Sequence, residues 1–130
     1  MTGLRVYLWA SAAVWLPYGI FCFFQPGALN EFAGLAASTA TANTELRAMY
    51  GGLQAGIGSL SLLAALRPAW VRPALVVLAF LSCGLAIGRL GGVVFDGGLS
   101  AYTGSALAFE ITSSSCALFF LSRAAPPTPA

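Results

Sequence analysis

The sequence predicts an all-α, membrane-embedded four-helix bundle with a short interfacial helix between its first and second helices. Of the 130 residues, 58% are hydrophobic and 8% are charged, whereas about a quarter of the residues in a soluble domain are charged. The mean hydropathy is +0.84, so the chain has too few polar side chains to cover a surface in water. These observations exclude a soluble domain.

Four apolar runs approach the length of about 20 residues that a membrane-spanning helix needs. They cover residues 4–24, 46–66, 70–95 and 102–121, and we assign one helix to each. The first run is longer than the apolar region of a signal peptide, which has about 7 to 15 residues. The helices form one domain, residues 1–123. Residues 124–130 contain three prolines, which predicts a disordered cytoplasmic tail.

The connection at residues 25–45 has two predicted parts. Its first part has four apolar residues at the spacing of one helix face, which predicts a short helix lying on the membrane interface as a lid. These residues are Leu29, Phe32, Ala33 and Ala36. Residues 38–44 are small and polar, which predicts a loop that ends with Asn43 or Thr44 as the N-cap of the second helix.

The charges predict the orientation in the membrane. Four arginines flank the helices on one side: Arg5, Arg67, Arg72 and Arg123. The connections on the other side, residues 25–45 and 96–101, contain acidic residues and no arginine. The positive-inside rule therefore predicts that both termini are cytoplasmic, in a bacterial inner membrane. The chain has no lysine or histidine and no run of positive charge, so no nucleic-acid partner is expected.

Two ionisable residues, Arg89 and Glu110, lie far from either interface. At 1.5 Å per residue both are roughly 10–12 Å inside the outer ends of the third and fourth helices, and Gln54 of the second helix lies at the same depth. An unpaired charge at such a depth costs at least about 2.5–3.5 kcal/mol. We therefore predict that Arg89 pairs with Glu110 inside the bundle, in the outer half of the bilayer.

Helical spacing places further residues near this pair, and we assign them to substrate binding together with Gln54. They are Arg47 and Tyr50 on the second helix, Asp96 on the third, and Trp15 and Tyr18 on the first. Simpler explanations stay open, because aromatic residues commonly pack and charges near an interface are commonly solvated. For Arg89 and Glu110 the alternative is a purely structural ion pair. Glu45 is assigned a structural role in the first turn of the second helix.

Metal and cofactor chemistry is not expected. Cys22, Cys83 and Cys116 are far apart and form no CxxC motif, and the chain contains no histidine. Glycines give four-residue spacings, such as Gly52 to Gly56 and Gly84 to Gly88, among Gly51, Gly52, Gly56 and Gly58 on the second helix and Gly84, Gly88, Gly91 and Gly92 on the third. Such rows predict a close approach of helices, and the alternative is that they make room for a ligand.

A resemblance to a known family rests on four stretches of sequence. They are NTELRAMYGGLQ at residues 43–54, GRLG at 88–91, Asp96-Gly97, and a lone Glu110 in the last helix. They resemble a family of small bacterial four-helix membrane proteins catalogued as a domain of unknown function, which is similar in layout to DoxX-like proteins. The resemblance covers nearly the whole chain. It implies the fold and the same set of polar residues, but no activity or cofactor.

Two classes of function fit this sequence. In the first, the polar pocket binds a lipophilic molecule that is isoprenoid-, quinone- or lipid-like. Such a protein could also be a metal-free isomerase, cyclase or hydrolase, with Glu110 as acid or base and Arg89 orienting it. In the second, the chain is an accessory subunit that packs on a second copy or another membrane protein, and the buried charges hold its helices together. Transport is a weaker third reading, because the helices are apolar below the site.

Overall fold

The computed structural model describes residues 2–123, and the predicted tail at residues 124–130 lies outside the described residues. The described chain is helical without strands, which confirms the all-α bundle. Its α-helices are α1 (Thr2–Phe24), α2 (Ala28–Ala33), α3 (Ala40–Leu46), α4 (Leu53–Leu66), α5 (Val71–Asp96) and α6 (Ala101–Arg123). A π-helical segment, Arg47–Gly52, joins α3 to α4, and a short 3₁₀ turn, Pro68–Trp70, precedes α5.

Four helical stretches are long and apolar enough to cross a membrane. They are Thr2–Phe24, Ala40–Leu66, Pro68–Asp96 and Ala101–Arg123, and they confirm the four predicted transmembrane helices. Many large apolar side chains point away from the bundle; Phe80 and Phe95, for example, are 77% and 86% exposed. Such a surface is suited to hydrocarbon and not to water. These features identify an integral membrane protein.

The bundle is built from two helix pairs, because α1 packs mainly on α4 and α5 packs mainly on α6. The pairs meet along a core that includes Leu8, Ile57, Leu75 and Leu78. We call the end at which α1 begins, α6 ends and α4 turns into α5 the terminal end. The opposite end, with residues 25–39 and 97–100, is the loop end.

The contact between α1 and the second transmembrane helix depends on Gly19 and on two of the predicted glycines, Gly51 and Gly58. A Cβ atom on Gly58 would lie 2.3 Å from the backbone nitrogen of Leu16, and one on Gly19 would lie 2.3 Å from that of Ala55. In contrast, a Cβ atom on Gly56 would meet nothing within 4 Å. A Cβ atom on Gly51, in the π-helical segment just before α4, would likewise lie 2.8 Å from the Phe23 Cα, so Gly51 and Gly58 form the glycine row that lets α1 approach.

The glycine pairs that the spacing predicted do not form helix contacts. Gly56, Gly84 and Gly88 have open space where a Cβ atom would be, and a Cβ atom on Gly52 would approach only an oxygen of its own helix, at 3.9 Å. The prediction was wrong because spacing identifies a row of small residues but not the side of the helix that faces a neighbour.

The second transmembrane helix begins earlier than the sequence predicted, at Ala40. Thr39 is its N-cap, with extended backbone angles and a side-chain Oγ1 that accepts a hydrogen bond from the Ala42 backbone N–H at 3.1 Å. The predicted loop at residues 38–44 and the predicted caps at Asn43 or Thr44 were therefore wrong. Once Thr39 has satisfied a free donor of the first turn, the small residues after it continue as helix.

The short helix α2 is confirmed, but it ends before Ala36. Gly34 closes it in the left-handed conformation at φ 69°, so Ala36 lies beyond its last turn. Leu29 is fully buried, and the Phe32 ring lies 5.7 Å from the ring of Tyr102 on α6. The helix is thereby fixed to the loop end of the bundle beside α6.

The π-helical segment Arg47–Gly52 was not predicted. At its end the Leu53 backbone N–H bonds to the Ala48 carbonyl, five residues back. Such a turn contains an extra residue and is frequent at functional sites. The extra residue rotates the preceding part of the helix relative to α4, so Arg47 and Gln54 no longer lie on one face.

Candidate functional site

A cavity of about 230 Å³ lies between the two helix pairs, toward the loop end, and all four transmembrane helices line it. Five residues that the sequence assigned to a site contribute to its wall: Trp15, Tyr18, Gln54, Arg89 and Glu110. The remaining wall is formed by Val14, Leu85, Tyr102, Ser105, Ala106 and Phe109. The sequence assigned the polar groups to the last three transmembrane helices and the aromatic residues Trp15 and Tyr18 to the first, and all four helices contribute to the wall.

An ion pair joins α5 to α6 inside this cavity. The Arg89 Nε donates to Glu110 Oε1 at 2.7 Å, and the two side chains are 23% and 3% exposed. The pairing follows the sequence prediction, and its short, charge-assisted bond fixes the orientation of the carboxylate. The second carboxylate oxygen, Glu110 Oε2, is buried and has no hydrogen-bond partner in the described residues.

Tyr102 at the start of α6 covers the ion pair from the loop end. Its ring lies 5.5 Å from the Arg89 guanidinium carbon, a cation–π distance. Its hydroxyl is 3.4 Å from the hydroxyl of Tyr18, so it also connects α6 to α1. Because α2 packs on the same ring through Phe32, the predicted lid helix contacts a residue of the cavity wall.

Sequence reasoning missed Tyr102 and Phe109, although a signal was present. Ala106 and Phe109 lie four and seven residues after Tyr102, and Glu110 follows Phe109 directly. All four residues therefore lie near one face of α6. The predicted site used only the carboxylate of this face, Glu110, and did not include its aromatic residues.

Trp15 forms the wall of the cavity on α1. Its ring contacts that of Phe109 edge to face at 5.5 Å between centroids. The indole Nε1 is buried and, like Glu110 Oε2, has no hydrogen-bond partner in the described residues. A buried donor without a partner is uncommon in proteins, and each such case calls for an explanation.

Arg47 and Asp96 lie outside the cavity. Arg47 donates a hydrogen bond to the backbone carbonyl of Phe23 and lines a separate open groove of about 680 Å³ at the loop end. The π-helical segment explains this position, since it turns Arg47 away from the face of Gln54. Asp96 is the last residue of α5 and is exposed.

Two further predicted residues differ in their outcome. Tyr50 is half-buried in the π-helical segment and is absent from the cavity wall. Glu45 is exposed and lies near the C-terminal end of α3, not in a first turn. The helix-dipole argument for Glu45 was therefore wrong, because the helix begins at Ala40.

A cluster of hydroxyl groups lies on the terminal side of the cavity. The Tyr7 hydroxyl donates to the Ser113 carbonyl oxygen at 2.9 Å, and Ser82 Oγ donates to Ser113 Oγ at 3.2 Å. This cluster ties α1 and α5 to α6 one turn below Glu110. We call the line along which α1 faces α6 the seam. The Tyr18–Tyr102 contact crosses the seam as a polar bridge on the loop side of the cavity, and the hydroxyl cluster crosses it as a second bridge on the terminal side.

Between these two bridges the cavity is open to the side. α1 and α6 make few contacts with each other, and Val14 on α1 and Ser105 on α6 are both exposed and both line the cavity. In a membrane this seam faces lipid. The cavity thus reaches the outer surface of the bundle beside Val14 and Ser105.

The arrangement of the side chains that could coordinate a metal ion does not suggest a metal centre in the described residues. No three cysteine, aspartate or glutamate side chains come together among residues 2–123. Cys22 is buried beside Tyr18, and Cys22, Cys83 and Cys116 are all free thiols.

Comparison with known proteins gives the family. A model of the family described as a domain of unknown function, DUF4345, matches residues 3–121. No curated protein and no solved structure matches the chain. The match includes all four transmembrane helices and every residue of the cavity wall, so this four-helix membrane protein belongs to the DUF4345 family.

Proposed function

We propose that the protein binds a lipophilic small molecule, isoprenoid-, quinone- or lipid-like, in the cavity between its helix pairs. One observation carries the proposal: a cavity inside an apolar bundle contains a buried carboxylate with an unsatisfied oxygen. Charged groups inside the membrane are costly and for this reason mark functional sites. Apolar walls with a few convergent polar groups are also typical of ligand sites.

The same geometry supports acid/base chemistry at Glu110. Arg89 holds one carboxylate oxygen, Oε1, and leaves Oε2 free to exchange a proton with a bound molecule. Arg89 also supplies a fixed positive charge that would stabilise negative charge developing on the substrate. The reactions that this arrangement suits are metal-free isomerisation, cyclisation or hydrolysis.

The experiment that tests binding is native mass spectrometry with lipid analysis of the protein purified from its membrane. We expect one class of apolar molecule to be retained at a constant ratio to the protein. An empty bundle associated with a second protein at fixed stoichiometry would instead support the accessory function, for which the outward-facing Gly84 and Gly88 offer a contact surface.

Filling the cavity should abolish retention. Ala106 lines the cavity, whereas Ala108 on the same helix is exposed to the outside. We expect Ala106→Phe to lose the retained molecule and Ala108→Phe to keep it, because the new ring occupies the cavity in the first variant only. Equal retention in the two variants, both folded as judged by circular dichroism, would contradict binding in this cavity.

For the location we propose the bacterial inner membrane, with both termini in the cytoplasm. The antiparallel fold supports this orientation, since Arg5, Arg67, Arg72 and Arg123 all lie at the terminal end. We expect a C-terminal green fluorescent protein fusion to fluoresce and a C-terminal alkaline phosphatase fusion to be inactive. The reverse pattern would contradict the orientation.

A further inference from the structure

We propose that the cavity binds the hydroxyl head of a neutral, single-chain alcohol, whose apolar chain leaves between α1 and α6 into the bilayer. This inference rests on the proposed binding function and specifies the chemical class of the ligand. It starts from the two buried polar atoms that the protein itself leaves without partners.

The two atoms require opposite kinds of hydrogen-bond partner. Trp15 Nε1 is a donor and requires an acceptor, whereas a carboxylate oxygen such as Glu110 Oε2 requires a donor. Their side chains come from α1 and α6 and line the same cavity. A hydroxyl group both donates and accepts, so its hydrogen-bonding capacity matches what the two atoms lack. An anionic carboxylate offers only acceptors and an ammonium group only donors.

The charge balance of the site also favours a neutral head group. Arg89 and Glu110 already neutralise each other at 2.7 Å. A ligand with a net charge would therefore bring an unpaired charge into an apolar bundle, where its desolvation is not compensated. A neutral hydroxyl adds hydrogen bonds without disturbing the ion pair.

The size of the cavity indicates that only part of the ligand lies inside. Its volume is about 230 Å³, below the roughly 300 Å³ at which sites for drug-sized ligands begin. The head and the first carbons of a chain fit within this volume. The rest of the chain can leave through the seam beside Val14, between the Tyr18–Tyr102 and Tyr7–Ser113 bridges.

The test uses the full chain in phosphatidylcholine nanodiscs and four probes with the same ten-carbon chain: decanol, decanoate, decylamine and decane. The three tryptophans are labelled with ¹⁵N, and a Trp15→Phe variant assigns the Trp15 indole signal. We expect decanol to shift the Trp15 N–H signal downfield and to saturate it. Decanoate and decylamine should bind at least about 10-fold more weakly, since each leaves one buried atom without a partner.

Two variants sharpen the test. Trp15→Phe keeps an aromatic ring at this position but removes the indole donor, so decanol affinity by equilibrium binding should fall about 3- to 10-fold. Trp9→Phe makes the same change at an exposed position and should leave the affinity unchanged. Glu110→Gln leaves Arg89 without its counter-charge, so this variant should bind decanoate more tightly than decanol. If Glu110→Gln does not fold, the comparison of Trp15→Phe with Trp9→Phe decides alone.

Two results would overturn the inference. One is tighter binding of decanoate or decylamine than of decanol by the unaltered protein, and the other is bound decanol that leaves the Trp15 signal unmoved. If none of the four probes binds but the purified protein retains another molecule in the Ala106-dependent manner, the binding function stands and the alcohol class is wrong. If nothing is retained and no probe binds, both proposals fail.

Discussion

Replacing Gly58 by alanine should force α1 and α4 apart and lower the melting temperature of the protein in detergent. The added Cβ atom would lie 2.3 Å from the Leu16 backbone nitrogen and 2.6 Å from its Cα. No change of rotamer can relieve a clash with backbone atoms, so the helices themselves must move. Overpacking of this kind typically costs about 1–3 kcal/mol, and occasionally more.

Gly56→Ala is the matched control, because it adds the same methyl group to the same helix. At Gly56 the new atom meets nothing within 4 Å, and alanine favours a helix over glycine by about 1 kcal/mol. We expect this variant to melt at the same temperature as the unaltered protein or slightly above it. Equal melting temperatures for the Gly56 and Gly58 variants would show that α1 and α4 are not in close backbone contact.

The sequence predicts the parts of this fold that follow from the cost of burial in lipid. The four spans follow from the length of apolar chain that a bilayer requires. The Arg89–Glu110 pair follows from the cost of an unpaired charge at that depth, which leaves each residue one partner at the same level. Both predictions depend on large free energies that local packing cannot override.

Other features depend on smaller differences and were not predictable in the same way. The start of the second helix is decided by whether Thr39 or Asn43 acts as the cap, a choice of about 1 kcal/mol. The π-helical turn at Arg47–Gly52 changes the face on which Arg47 lies, yet it leaves no mark in the hydrophobic pattern. Tyr102 is part of the site because it contacts Arg89 and Tyr18, and only the packing of α1, α5 and α6 brings these three residues together.

Glu110→Gln should destabilise the bundle more than any single change outside the close α1–α4 contact. It leaves the Arg89 guanidinium, whose side chain is 23% exposed, without a counter-charge inside the bundle. Breaking a buried ion pair from one side typically costs about 3–5 kcal/mol. We expect a low yield and early melting in detergent.

The double variant Arg89→Met with Glu110→Gln removes the uncompensated charge. Without the arginine no uncompensated charge stays buried, which removes the main cost of breaking the pair from one side, and methionine adapts to irregular space. We therefore expect the double variant to melt near the temperature of the unaltered protein. Continued instability would indicate that packing around Arg89, including its contact with the Tyr102 ring, matters more than its charge.

Ligand retention in the double variant separates a binding site from a structural ion pair. The variant restores the charge balance but not the carboxylate oxygen that we assign to the ligand, so we expect a stable bundle that no longer retains its apolar molecule. If Glu110 also acts as acid or base, Glu110→Gln protein that does fold should lose turnover by about 100-fold or more. A double variant with full stability, full retention and full activity in cells would leave the pair with no role beyond joining α5 to α6.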